Sequence, residues 1–286
     1  MKLKDLSMAS MLLLVVAVQI LSLAMTPALK DTDIRIFEDP SETMNAVYYF
    51  LMILIFTAFM LIALKAGRKW VIEAVILISV VTSIYYVLSA FSIPIIAAGL
   101  AIAMTALLRS YPEWYIVDCV GLLVCAGVSS LFGISMSTLP ALVLLCILAV
   151  YDAVSVYKTK HMVSLAEGAI NIRAPLLFVV PKRLDYSFIR DGRMGKGNGA
   201  YFLGLGDAII PTVLVVSANQ LQVANDSMVW FGVNGPALGA MLGTCLGFAV
   251  LATTSRDRPH AGLPFLNGGA ILGFLIGCAA SGVPPF

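Results

Sequence analysis

Charge is what this sequence has least of. Only 12% of its 286 residues are Asp, Glu, Lys or Arg, 60% are hydrophobic, and the mean hydropathy is +0.96. A soluble domain carries roughly twice that share of charge. So many apolar residues cannot hide in one core, and lipid is the expected solvent. The net charge of +2 points away from nucleic acid or any other polyanion. Histidine is almost absent: His161 and His260 are the two, both in polar connections, and no H-E-x-x-H occurs, which excludes the usual zinc hydrolase cluster. The same scarcity leaves a serine nucleophile without a base inside any apolar run. The five cysteines (Cys119, Cys125, Cys146, Cys245 and Cys278) lie in apolar stretches with no C-x-x-C pair. They read as small core residues, neither a disulfide framework nor a metal site. No cofactor is implied.

What the chain does have is apolar runs of spanning length. They fall at about 8–29, 43–64, 70–89, 92–108, 115–134, 138–157, 199–217, 229–252 and 265–284, predicting an all-α membrane protein of about nine spans. The first run follows Lys2 and Lys4 as a signal peptide would. It is about the ~20 residues needed to span and no A-x-A site follows it, so it reads as a retained helix. If the N-terminus is cytoplasmic, sixteen of the eighteen basic residues fall in cytoplasmic segments, leaving only Lys30 and Arg35 outside. That asymmetry predicts a cytoplasmic N-terminus and an outside C-terminus. The long basic connection 158–198 then divides the chain into an N-terminal six-helix part (1–157), a cytoplasmic loop and a C-terminal three-helix part (199–286). Inside the loop, Leu176–Val180 between Pro175 and Pro181 has strand chemistry, and the glycines 192, 195, 197 and 199 predict a mobile end. Glycines at every fourth position of span eight (Gly235, Gly239, Gly243, Gly247) and span nine (Gly269, Gly273, Gly277) predict close helix packing there.

Four acids fall inside spans: Glu73, Asp118, Asp152 and Asp207. A carboxylate in hydrocarbon is costly, so each needs a reason. Glu73, just after Lys69 and Trp70, reads as a headgroup-level residue. Asp118 sits in the first turn of span five, where the positive end of the helix dipole favours it. Asp152 and Asp207 lie at depths of ~9 Å and ~12 Å below the same surface if both spans rise as helices. Two helices entering and leaving through one face can set these carboxylates opposite each other. Like charges in a low-dielectric cleft cannot both ionise easily, so the pair shares a proton. Position alone leaves open a buried hydrogen-bonded pair, a proton relay in a transporter, and the acid–base pair of an aspartyl protease.

The neighbouring residues narrow this. Tyr151-Asp152 and Gly204-Leu205-Gly206-Asp207, continued by Ala208-Ile209-Ile210-Pro211, resemble the Tyr-Asp and Gly-x-Gly-Asp motifs of the presenilin and signal peptide peptidase family, with archaeal presenilin-like proteins nearest in pattern. The resemblance covers nearly the whole chain. It implies an intramembrane aspartyl endopeptidase that cleaves transmembrane segments or signal peptides of other membrane proteins. Asp152 and Asp207 would be catalytic, and Tyr151, Gly204, Leu205 and Gly206 would line the substrate cleft. The family's Pro-Ala-Leu motif is altered. At the entry to span nine the chain reads Ala261-Gly262-Leu263-Pro264, so Gly262, Leu263 and Pro264 are the implied substrate-binding counterparts. Three literal copies, at Pro27, Pro140 and Pro236, lie toward the outside, away from the aspartates. Gly133-Ile134-Ser135-Met136 superficially matches a rhomboid nucleophile motif but has no base. By resemblance the protein sits in a prokaryotic cell membrane, acts without an obligatory partner subunit and is compatible with a homo-oligomer. An ion-leak channel or transporter using the same aspartates is the alternative reading, although paired repeats are not evident.

Overall fold

The computed structural model describes residues 3–31, 36–159, 177–183, 185–191, 199–221, 232–254 and 261–285. Most of the 158–198 loop, with His161 and the glycines 192, 195 and 197, lies outside the described residues, as does His260. Among those described, the apolar runs form helices α1 (Leu3–Lys30), α2 (Met44–Lys65), α3 (Lys69–Ser89), α4 (Pro94–Ser110), α5 (Trp114–Ser135), α6 (Thr138–Val154), α7 (Leu205–Ala218), α8 (Gly235–Thr254) and α9 (Leu263–Ser281). Seven are long and apolar enough to cross a membrane; α4 and α7 are shorter apolar helices. Proline starts α4 at Pro94, where a missing N–H costs nothing, and Gly282 ends α9 in the left-handed region at φ 65°. Large apolar side chains face outward along the bundle, among them Ile55, Ile62, Ile95, Leu246 and Ile276. Such a surface is unstable in water and suits lipid.

The core forms around α7, which is buried along nearly its whole length and packs on α1, α5, α6, α8 and α9. At 1.5 Å per residue α7 is only about 21 Å long, short of a ~30 Å hydrocarbon layer. Strand β2 (Ala200–Gly204) precedes it directly. The expected helical span 199–217 is thus a strand running into a helix. A strand rises more than twice as far per residue, so helical rise does not measure the depth of Asp207. The apolar run of the loop is β1 (Leu177–Pro181), paired antiparallel with β2 so that Val179 stands opposite Phe202 and Leu177 opposite Gly204. Non-helical backbone beside membrane-spanning helices must be enclosed by protein wherever lipid would otherwise reach it. The hairpin meets that condition, with Phe178, Val179 and Leu203 buried against α1 and α5.

Two of the acids depart from or sharpen the sequence reading. Glu73 pairs with Arg109 at the exposed ends of α3 and α4, a contact worth little in stability. Asp118 is buried, and its carboxylate accepts the N–H of Val179 at 2.8 Å. It serves the hairpin, and the helix dipole is at most a secondary reason for its place. Cys119 and Cys146 are exposed on the bundle surface, whereas Cys125 and Cys278 are core residues as expected. Ser135 is tied into backbone, accepting from Ile36 N–H and donating to the Leu131 carbonyl.

The glycine ladders meet each other. A Cβ on Gly243 would run into the Gly269 carbonyl, and one on Gly273 into that of Gly239. Backbone touches backbone there, and no side chain can yield. Gly243→Val therefore overpacks the α8–α9 seam and destabilises the fold by about 1–3 kcal/mol, read as a lowered Tm in detergent. An unchanged Tm would mean that the two helices separate freely.

Candidate active site

Asp152 lies in the last turn of α6, just before the π-helical turn Ser155–Thr159, and is only 6% exposed. Turns of this kind recur at functional sites because they re-aim side chains. Its Oδ2 accepts the N–H of Leu263 at 3.1 Å. Leu263 opens α9, and the first N–H groups of a helix lack partners within it, so a carboxylate is well placed there.

Asp207 stands in the first turn of α7, directly after the strand-to-helix junction. Two glycines press against it. A Cβ added at Gly204 would lie 3.2 Å from Asp207 Oδ2, and one at Gly262 would lie 3.0 Å from the same oxygen. Gly262 and Leu263 thus bridge the two acids: the Leu263 N–H holds Asp152, and the residue before it lies flat against Asp207. Asp152 is within electrostatic reach of Asp207. The structure therefore brings together four residues that the sequence places in three distant segments.

The other site residues divide. Tyr151 is half-buried, its ring edge-on to Phe50 at 5.6 Å. Leu205 is buried and turned away into α5, where it faces Gly121 and Cys125. Gly206 is exposed, and a Cβ there would meet nothing within 4 Å. Pro264 sits in the first turn of α9, half-buried. The three literal Pro-Ala-Leu copies occur at the far ends of α1, α6 and α8. Those are the ends away from the hairpin and from Asp152, Asp207 and Leu263.

Sequence reading passes over Asn267, one turn beyond Leu263. It is fully buried, and its Nδ2 donates to the Leu145 carbonyl at 3.0 Å, tying α9 to α6 across the site. The signal was available: it is the one amide side chain in α9, and an amide in a span needs a partner.

The chain as a whole is similar to known proteins in sequence and in fold. The family model described as signal-peptide peptidase, presenilin aspartyl protease matches residues 11–283. Two solved structures of a presenilin family intramembrane aspartate protease, in space groups C222 and P2, are each 37% identical. The alignments cover 95% of this chain and 97% of those, with TM-scores of 0.67 and 0.68. Comparison with curated proteins gives no significant match. Matched from near its start to near its end in sequence and in fold, the chain belongs to the signal-peptide peptidase and presenilin family of intramembrane aspartyl proteases.

Proposed function

We propose that Asp152 and Asp207 are the catalytic pair of this membrane-embedded hydrolase, and that it cuts transmembrane segments or signal peptides of other membrane proteins. The observation that carries the reading is the shared support of both carboxylates by Gly262 and Leu263. Acids so placed share one proton. The ionised carboxylate takes a proton from the attacking water while the protonated one donates a hydrogen bond to the scissile carbonyl. Tyr151, Gly204, Gly206, Gly262, Leu263 and Pro264 form the substrate cleft around the pair, and Leu205, expected there from the motif, contributes by seating the start of α7 on α5. The N-terminus is cytoplasmic and the C-terminus outside, in a nine-span chain with a six-helix part, the 158–198 loop and a three-helix part, in a prokaryotic cell membrane. The charge asymmetry supports that orientation.

A peptide bond inside a helix has its carbonyl engaged, so the substrate must be extended where it is cut. The β1–β2 hairpin, ending three residues before Asp207, supports presentation of the substrate as an added strand. The test uses purified protein with a transmembrane peptide and with a peptide carrying a transition-state isostere. The protein is expected to cleave the first, to bind the second, and to be nicked more slowly by a soluble protease within 185–199 once the isostere is bound. A transporter would do none of these. Equal nicking with and without isostere would remove strand addition and leave the dyad standing.

A further inference from the structure

Two buried acids at the start of α5 lie outside the chemistry just described, and both are spent on the segment that leads to Asp207. Glu113, immediately before α5, is 7% exposed; its carboxylate accepts Ser187 Oγ–H at 2.6 Å and the Phe188 N–H at 2.9 Å. Asp118 accepts the Val179 N–H at 2.8 Å. That N–H points to α5, away from β2, so it lies on the outer edge of the hairpin. The contact continues along the same face of the helix. At Gly121, three residues on, an added Cβ would come within 3.2 Å of both the Phe178 ring and Leu205 Cδ2. At Cys125, four further, Sγ lies 3.8 Å from the Leu205 carbonyl. Residues spaced three and four apart share a helix face. A single face of α5 therefore seats β1 and the first residue of α7.

We propose that Asp118 is a positioning residue for hydrolysis. Holding Val179 fixes β1 on α5; β1 holds β2 through the antiparallel ladder; and β2 runs without a break into Gly204 and Asp207. Asp152 is fixed from a different side, by α6 and the start of α9. The gap between the two carboxylates is consequently set partly by how the hairpin sits on α5. This rests on Asp207 being one of the catalytic pair. Burying a carboxylate under a strand is costly unless it is hydrogen-bonded, and the bond it makes here is one that only an acceptor at this position can supply.

The experiment compares Asp118→Ala, Asp118→Asn and Asp207→Ala in the purified full chain, with a transmembrane peptide as substrate and an isostere peptide to count active sites. The amide oxygen of Asn can still accept from Val179. Asp118→Asn is therefore expected within about threefold of wild type, while Asp118→Ala loses on the order of tenfold or more in kcat per titrated site with KM within about twofold. If Asp118→Ala does not fold, Val179→Pro removes the same N–H at an outer-edge position and is read identically. Wild-type kcat in the donor- or acceptor-deleted variant overturns the proposal. So do equal losses in Asn and Ala, a loss confined to KM, or fewer titrated sites each working at the wild-type rate, which would mark a purely structural anchor. Cleavage by Asp207→Ala would instead sink the dyad reading, whatever Asp118 does.

Discussion

Asp152→Ala and Asp207→Ala are each expected to abolish peptide hydrolysis, with kcat lowered by at least about a thousandfold, and the double variant to be no worse than either single one. Residues that act as a unit lose function together, so the second removal takes nothing further away. The fold survives both changes. Asp152 is buried and accepts the Leu263 N–H, and alanine removes the desolvation cost along with that bond. A normal Tm beside a lost rate is the combination to look for. The pH dependence follows from the shared proton. At acid pH both carboxylates are protonated and none can take a proton from water. At alkaline pH both are ionised and none can donate to the carbonyl, so kcat falls on both sides of an optimum. Cleavage retained by either folded single variant, or activity rising without limit in one direction of pH, would show that the pair is not the acid–base couple.

Gly262→Val is expected to cost on the order of a hundredfold in kcat while the protein remains folded. The first added carbon already falls 3.0 Å from one Asp207 oxygen and 3.4 Å from the other, so the branched side chain must push the carboxylate aside or shift Leu263 off Asp152. A displacement of about 1 Å at reacting groups is enough for a loss of that size. Gly206→Ala is the informative contrast. Its new methyl meets nothing within 4 Å, so the free enzyme is undisturbed and any effect arises against bound substrate. The expected result is a raised KM with normal folding. Should Gly262→Val cleave normally, Asp207 would not depend on the start of α9 for its position; should Gly206→Ala leave KM untouched, Gly206 would not face the peptide.

Several features were legible in the sequence because they depend on local composition. Hydropathy over a window of about twenty residues locates the spans, since crossing lipid is a demand on each segment by itself. The glycine ladders of α8 and α9 announced their close packing in the same way, although their partner in each case, the other ladder, came only with the fold. The motifs around Asp152 and Asp207 pointed to the family, which the whole-chain match then established.

The altered motif at Ala261–Pro264 could not be judged from its letters. What meets the aspartates there is the Leu263 N–H and the bare Gly262 backbone, and any residue sequence that presents those groups would serve. Pairing of β1 with β2 was hidden for another reason. Ala200–Gly204 is apolar enough to read as the start of a helix, and it becomes a strand only because β1 supplies the partner for its backbone bonds. Asp118 changed its meaning likewise: one turn into a helix it looked like a dipole residue, and the Val179 N–H that accounts for it lies 61 residues away. By itself the sequence determined that this is a helical membrane protein and which acids stand within its spans. Only the tertiary structure decided which backbone groups those acids meet, because hydrogen-bond partners and strand register belong to pairs of distant segments and leave no mark on either one alone.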